Sequence, residues 1–399
     1  MLKNILCIFG LIISLCILSL LSQAQEEPII ISNPKTPTGK NGKSIRIVFA
    51  EELTIGVTKG DKNYMFGGRV YFNTDDKGNF YVNDWDVKRI IKYDPDGKYV
   101  RTIGRAGQGP GEFQNVWIPR FDKDNNLYVS DLVGRRINFF NPDGKFLRQV
   151  SMSQRLSNVF VNSKGNYVAN QSIYLEDEKR DRNITVIGIF DEEFNLVSEI
   201  HRHTWIPPKR STGRDRGSRA QFTADILSNS AFKPYHTFFV SDDDFIYFGY
   251  PEQYEICVYS PEGRLVRTIK REYDPIKVSE KHKEEYFRIQ EAEFFRFLPH
   301  DEQYKKRVKG LIRYPKYKPA YEHFVLMENG WLLVVVDSIA GEYTLFDVFD
   351  ENYRYIAQFK ATIQEEGLFF RNKKAYAVAT EDSYKFVKRY NFEIQEYRD

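Results

Sequence analysis

Cysteine is nearly missing from this chain. Of three cysteines in 399 residues, Cys7 and Cys16 lie in the apolar N-terminal run, which leaves Cys257 alone. No intramolecular disulfide can form in the remainder, so stability must come from burial, which a chain of this size supplies. Cys257 sits in an apolar alternating stretch and reads as a buried small hydrophobe rather than a reactive thiol. An excess of charge of one sign is missing too. The net charge of +3 becomes +2 once Lys3 is removed, which argues against a general polyanion binder. Motif chemistry is also missing: no catalytic triad, nucleophile motif or metal cluster is found. His201-x-His203 has no third ligand at a metal-site spacing, and His236, His282, His300 and His323 are scattered.

What is present begins with an export signal. One basic residue (Lys3), an apolar run from Ile5 to Leu21, and Ser22-Gln23-Ala24 predict a signal peptide over 1–24, cleaved after Ala24. Lipidation is excluded because Cys16 follows Leu15 and Cys7 follows Leu6. The expectation is an exported chain, periplasmic, in the cell envelope or secreted, with no membrane span after cleavage and no nucleic-acid partner. Residues 25–43, bearing Pro, Lys and Gly, read as a flexible tether.

The rest repeats. Ile118–Phe121, Leu127–Ser130, Ile137–Phe140 and Phe146–Val150 read as four strands joined by polar turns, with Asn141-Pro142-Asp143-Gly144 turning the last pair. Upstream, Asp75–Gly104 matches: Asn79-Phe80-Tyr81-Val82 against Asn126-Leu127-Tyr128-Val129, and Asp84 with Arg89 against Asp131 with Arg136. Weaker copies lead to Ile187–Ile200, Ile256–Ile269, Phe346–Phe359 and Tyr384–Ile394, making six. Repeats of roughly 40 residues with four short strands predict an all-β, six-bladed β-propeller of antiparallel blades over 44–399.

Gly104–Val150 resembles an NHL repeat: a Gly-rich lead-in, Phe, Pro, a polar turn, an aliphatic-Tyr-Val-x-Asp strand, then Arg-Ile-x-x-Phe and Pro-Asp-Gly-Lys. The whole chain is similar to the exported six-bladed β-propeller proteins of Bacteroidetes-type bacteria, a resemblance that implies a fold strongly and a function weakly.

Ser44–Leu53 alternates but has no hairpin partner, while the last repeat runs out before a fourth strand. Pairing the two would close the ring and remove two exposed edges. The glycine-rich stretch Gly104–Phe113 lacks a following helix and a Lys-Ser/Thr, so it reads as a connector between blades. Asp122–Asn126 starts like a calcium loop, but Val133 occupies the twelfth position, so it reads as a turn.

Two insertions break the spacing. Residues 201–233 read as mostly loop, and residues 271–320 contain helical periodicity over Val278–Leu298 and Glu302–Ile312, a helical insertion between blades 4 and 5. Both lie on the face of the second-to-third loops, as does the enlarged Gln171–Asn183 segment, which marks that face for binding.

The candidate ligand residues are Trp85, Arg89, Trp117, Arg120, Arg135, Arg136 and Arg214. Trp85, Trp117 and Arg120 would line the channel mouth and offer stacking. Arg89 and Arg136 read first as structural ion-pair partners of Asp84 and Asp131. Lys209, Arg210, Arg214, Arg216 and Arg219 form a basic cluster in the first insertion. The expected function is a non-enzymatic, monomeric module that binds a glycan, peptide or protein on the insertion-bearing face, without a cofactor. The alternative is a calcium-dependent hydrolase, lactonase or lyase, for which Asn73, Asn170 and Asp337 would have to converge on one ion in the channel. A purely structural envelope component is a third reading.

Overall fold

The computed structural model describes residues 27–176, 182–207, 215–293, 295, 302–339, 342–363, 366–381 and 384–397. The signal segment and Arg214 lie outside them. Six sheets of antiparallel strands form the blades, each running from an innermost to an outermost strand. Blade 1 is Val70–Thr74, Phe80–Asp84, Arg89–Tyr93 and Tyr99–Ile103, and blade 2 is Arg120–Phe121, Leu127–Asp131, Arg136–Phe140 and Phe146–Ser151. Blade 3 is Leu156–Val161, Tyr167–Leu175, Arg182–Phe190 and Leu196–Trp205; blade 4 is Thr237–Val240, Ile246–Gly249, Glu255–Tyr259 and Leu265–Arg271. Blade 5 is His323–Leu326, Leu332–Ile339, Tyr343–Phe349 and Tyr355–Ala361. Blade 6 takes Phe369–Arg371, Lys374–Glu381 and Tyr384–Tyr397 from one end of the chain and Ser44–Ile55 from the other. The pairing runs from Ser44 opposite Tyr397 to Ile55 opposite Val387, which is the expected closure.

The turns explain why some copies are hard to see. Asp75, Asp122 and Asn162 each accept two backbone N–H groups of their own turn through one side-chain oxygen, fixing the first-to-second turns. In the third-to-fourth turns, Gly97 and Gly144 take φ of 77° and 75°, while Phe194 and Tyr353 hold the same place at 66° and 59°. A side chain there costs about 1–2 kcal/mol, so these degenerate copies keep the backbone and lose the motif. Aromatic side chains fill the wedges between blades. Phe72 and Phe80 of blade 1, for example, pack on Tyr376 of blade 6.

Three expectations are corrected. The described part of the expected 25–43 tether, residues 27–43, is not free: Ile29–Asn33 adds a fifth strand to blade 4, parallel to Leu265–Arg271. An isoleucine run suits an open sheet edge, and buried Asn33 donates to the carbonyls of Lys270 and Tyr353 and accepts from the Tyr355 N–H. The strap then crosses blade 5, where Thr38 and Gly39 donate to the carbonyls of Tyr355 and Ile356. Next, Gln171–Leu175 and Arg182–Asn183 of the enlarged segment are strand, because blade 3 runs on as a ribbon to Leu175, from Arg182, and to Trp205.

The first insertion, finally, carries helix α1, Arg216–Ser230, capped by Asp215 accepting from the Ser218 N–H. Helices α2 (Glu280–Glu293) and α3 (Glu302–Leu311) form where expected. Ala220, Ala224 and Leu227 of α1 pack with Phe287, Val308 and Ile312, so the two insertions make one cap. Among the described residues no helix is long and apolar enough to cross a membrane.

Candidate functional site

Both recurrent ion pairs form. Arg89 lies 3.2 Å from Asp84 and also donates to the Lys62 carbonyl. Burial pushes the Asp84 carboxyl up, against the pull of Arg89. Arg136 donates to Asp131 at 3.1 Å and reaches the carbonyls of Gly107, Gln108, Gly109 and Glu112, while Asp131 accepts the N–H groups of Gln114 and Asn115. The pair therefore holds the glycine-rich connector in place. At Gly104 (φ 69°) a Cβ would meet the Phe113 ring at 2.1 Å. Arg135 is exposed at the second-to-third turn, with φ of 48°.

The predicted mouth residues separate. Trp85 and Trp117 meet at 5.6 Å and form a triangle with Tyr71, 5.0 Å from Trp117 and 6.3 Å from Trp85, on the insertion side of the channel. The Arg69 guanidinium lies over Trp85, and the buried Trp117 indole N–H has no partner. Arg120, three residues further along the chain, opens the innermost strand of blade 2 and lines the opposite mouth.

The possible ion ligands do not come together. Asn73 faces the channel and accepts from its neighbour Thr74. Asp337 lies beneath the cap, bonded to Lys318 and, at 2.6 Å, to the Tyr343 hydroxyl, with His282 Nε2 at 3.2 Å. Burial pushes its carboxyl up, but Lys318 and Tyr343 outweigh that and hold it below the ordinary carboxylate range. Lys318 in turn meets Glu322 at 2.7 Å. Among the described residues no three His, Cys, Asp or Glu side chains are disposed to hold a metal.

Asn170 belongs to a different place, the seam between blades 3 and 4. Register puts Asn170, Ile187 and His201 in one row, Ser172, Thr185 and His203 in the next, and Tyr174, Asn183 and Trp205 in the outermost, all on one face of the ribbon. His201 stacks on Phe248 and Tyr250 at 4.8 and 5.3 Å, and His203 lies 5.4 Å from Tyr250. His236 stacks on Tyr235 at 4.3 Å. Burial, then the neighbouring His201 and His203, pushes His236 down to about 4, and burial likewise lowers His201. Both are therefore neutral at pH 7. Asn170 Oδ1, His201 Nε2 and His236 Nε2 are buried without a hydrogen-bond partner. The outer rings stay in solvent: Trp205 is 39% exposed and Tyr235 70%. Tyr235, His236 and Tyr250 carried no signal in the sequence, since only the seam makes them neighbours of His201.

The opposite face, that of the first-to-second turns, bears a cavity of about 450 Å³ at the channel mouth. First-to-second turns of several blades line it, with Arg120, Phe160 and Arg371.

Residues 69–205 match the model of a family described as a 6-bladed beta-propeller, DUF5128. With the six closed blades, this decides the architecture. The chain is a six-bladed β-propeller. Among solved structures, a Bacteroides fragilis protein described as exported shares 12% identity with the propeller, over 92% of this chain and 99% of that one, at a TM-score of 0.52. A member of the duf4221 family from Bacteroides vulgatus shares 10%, over 89% and 99%, at 0.49. Virginiamycin B lyase from Staphylococcus aureus shares 10%, over 87% and 99%, at 0.43. At such identities the likeness is one of fold alone, and a fold hosts many functions. No curated protein matches the propeller in sequence.

Proposed function

We propose that the protein is an exported, non-enzymatic binding module that holds a neutral glycan in the seam between blades 3 and 4, on the insertion-bearing face. One observation carries this reading. Tyr235 stacks on His236, Trp205 lies two rows out from Asn170 and His201 on the same ribbon face, both rings are exposed, and polar atoms of Asn170, His201 and His236 are buried without a partner. Unpaired buried acceptors cost stability unless something reaches them. Sugar hydroxyls supply hydrogen bonds, and the apolar faces of a pyranose stack on aromatic rings. The histidines are held neutral, which suits an uncharged ligand. The signal-like N-terminus, and the description of the Bacteroides fragilis neighbour as exported, support a place outside the cytoplasm.

Calorimetry of residues 25–399 against neutral oligosaccharides and matched peptides tests the reading. A glycan binds, and Trp205→Ala and Tyr235→Ala each weaken it by about tenfold or more, about 1.4 kcal/mol, without lowering Tm. Binding confined to peptides, or binding indifferent to both substitutions, would sink it.

A further inference from the structure

The cavity at the other mouth has a chemistry of its own. The enclosed cations Arg136, Arg271 and Lys318 each meet a carboxylate, the first two at 3.1 and 2.9 Å. Arg120 does not: among the described residues no carboxylate comes within ion-pairing distance of it. Its guanidinium lies 3.6 Å over the Phe160 ring and donates to Asn158 Oδ1 at 2.6 Å, both from blade 3, while one edge borders the cavity. Enclosure lowers its pKa to about 10, so it stays charged at neutral pH. An enclosed charge with no counter-charge is costly. Its aromatic and amide supports fix its direction without neutralising it.

The rim is mixed but acidic on balance: Asp76, Asp122, Asp242 and Asp244 stand against Lys123 and Arg371. Asp122 is satisfied by its own turn, and Asp244 by Ser163. Asp76 and Asp242 are exposed, and both lie near Arg371 of blade 6, at 4.0 and 3.9 Å, too far for hydrogen bonds. A ligand entering the cavity meets loosely held carboxylates first and the unpaired guanidinium below. A simple anion is repelled at the rim, and a simple cation is repelled at the floor.

We propose that this cavity binds a small zwitterion of amino-acid or dipeptide size, its carboxylate on Arg120 and its ammonium on the exposed Asp242, in exchange for that carboxylate's long contact with Arg371. A guanidinium fits a carboxylate bidentately, and the volume suits a small ligand. The site is separate from the blade 3–blade 4 seam and does not depend on the glycan reading.

The test is calorimetry on residues 25–399 with four kinds of probe: glycylglycine with a panel of free amino acids, N-acetylglycylglycine, inorganic phosphate, and putrescine. One or more zwitterions bind, while the acetylated dipeptide, phosphate and putrescine bind at least tenfold more weakly. Arg120→Met abolishes binding with Tm unchanged or raised, and Arg120→Lys restores part of it. Asp242→Asn narrows the gap between the free and acetylated dipeptides. Silence from every zwitterion overturns the proposal, as does phosphate binding as tightly as the best zwitterion, or equal affinity in Arg120→Met. Should Arg120→Met fail to fold, Asp242→Asn alone decides, because an unchanged preference for the free dipeptide refutes the rim.

Discussion

His236 is a base that the fold keeps neutral. Its pKa of about 4 in the folded chain compares with roughly 6.5 when unfolded. Between those values the unfolded chain takes up a proton that the folded one refuses. Stability therefore falls as pH drops from about 6.5 toward 4 and levels off below that, by up to about 3 kcal/mol. Urea denaturation near pH 7 and near pH 4 should show this loss, and His236→Phe should remove most of the difference. A pH dependence that survives the substitution would assign the effect to other groups. Sequence position gave no sign of this behaviour. His236 reads as one of several scattered histidines until blade 4 brings it against His201 and His203.

Arg136 acts at the scale of an element, because one guanidinium holds both a turn and an interblade connector. Arg136→Met leaves the Asp131 carboxylate buried without its cation and frees four connector carbonyls. The expected loss is roughly 3–5 kcal/mol, and Arg89→Met should cost less because Arg89 meets a single carbonyl besides Asp84. Equal losses by thermal or urea denaturation would reject this ranking. Both pairs were legible because they recur at one spacing, and α2 and α3 were legible from their apolar period. Helix α1 was not. Gly217, Ser218, Asn229 and Ser230 are poor helix formers, and its buried face (Ala220, Thr223, Ala224, Leu227, Ser228) has one large apolar side chain, so its stability comes from packing on the other insertion. The candidate sites were legible only in part. Trp85 with Trp117 could be paired from their places in the repeat, whereas the register that carries Arg120 toward the opposite mouth, and the seam that gathers Asn170 with the histidines, belong to three-dimensional packing.

At the scale of the whole molecule, the N-terminal segment does two separable jobs. A chain beginning at Lys40 lacks the fifth strand of blade 4 and the three Asn33 hydrogen bonds but keeps Ser44–Ile55. It should fold with a lower Tm, losing on the order of 2–4 kcal/mol. A chain beginning at Thr58 lacks the outermost strand of blade 6 and should show no cooperative melt by circular dichroism. A cooperative melt there would mean that the ring does not need its seam. That seam also bears on how the protein reaches and leaves its folded state. Contacts such as Lys43 to Glu396 join residues 353 apart in sequence, so closure carries the largest loop entropy of any step unless the intervening blades have already collapsed. Closing the ring is then a late event that waits for every blade. Once zipped, neither strand of the seam offers a loose end from which unravelling can start, and the propeller's persistence becomes a matter of its unfolding rate as much as of its equilibrium stability.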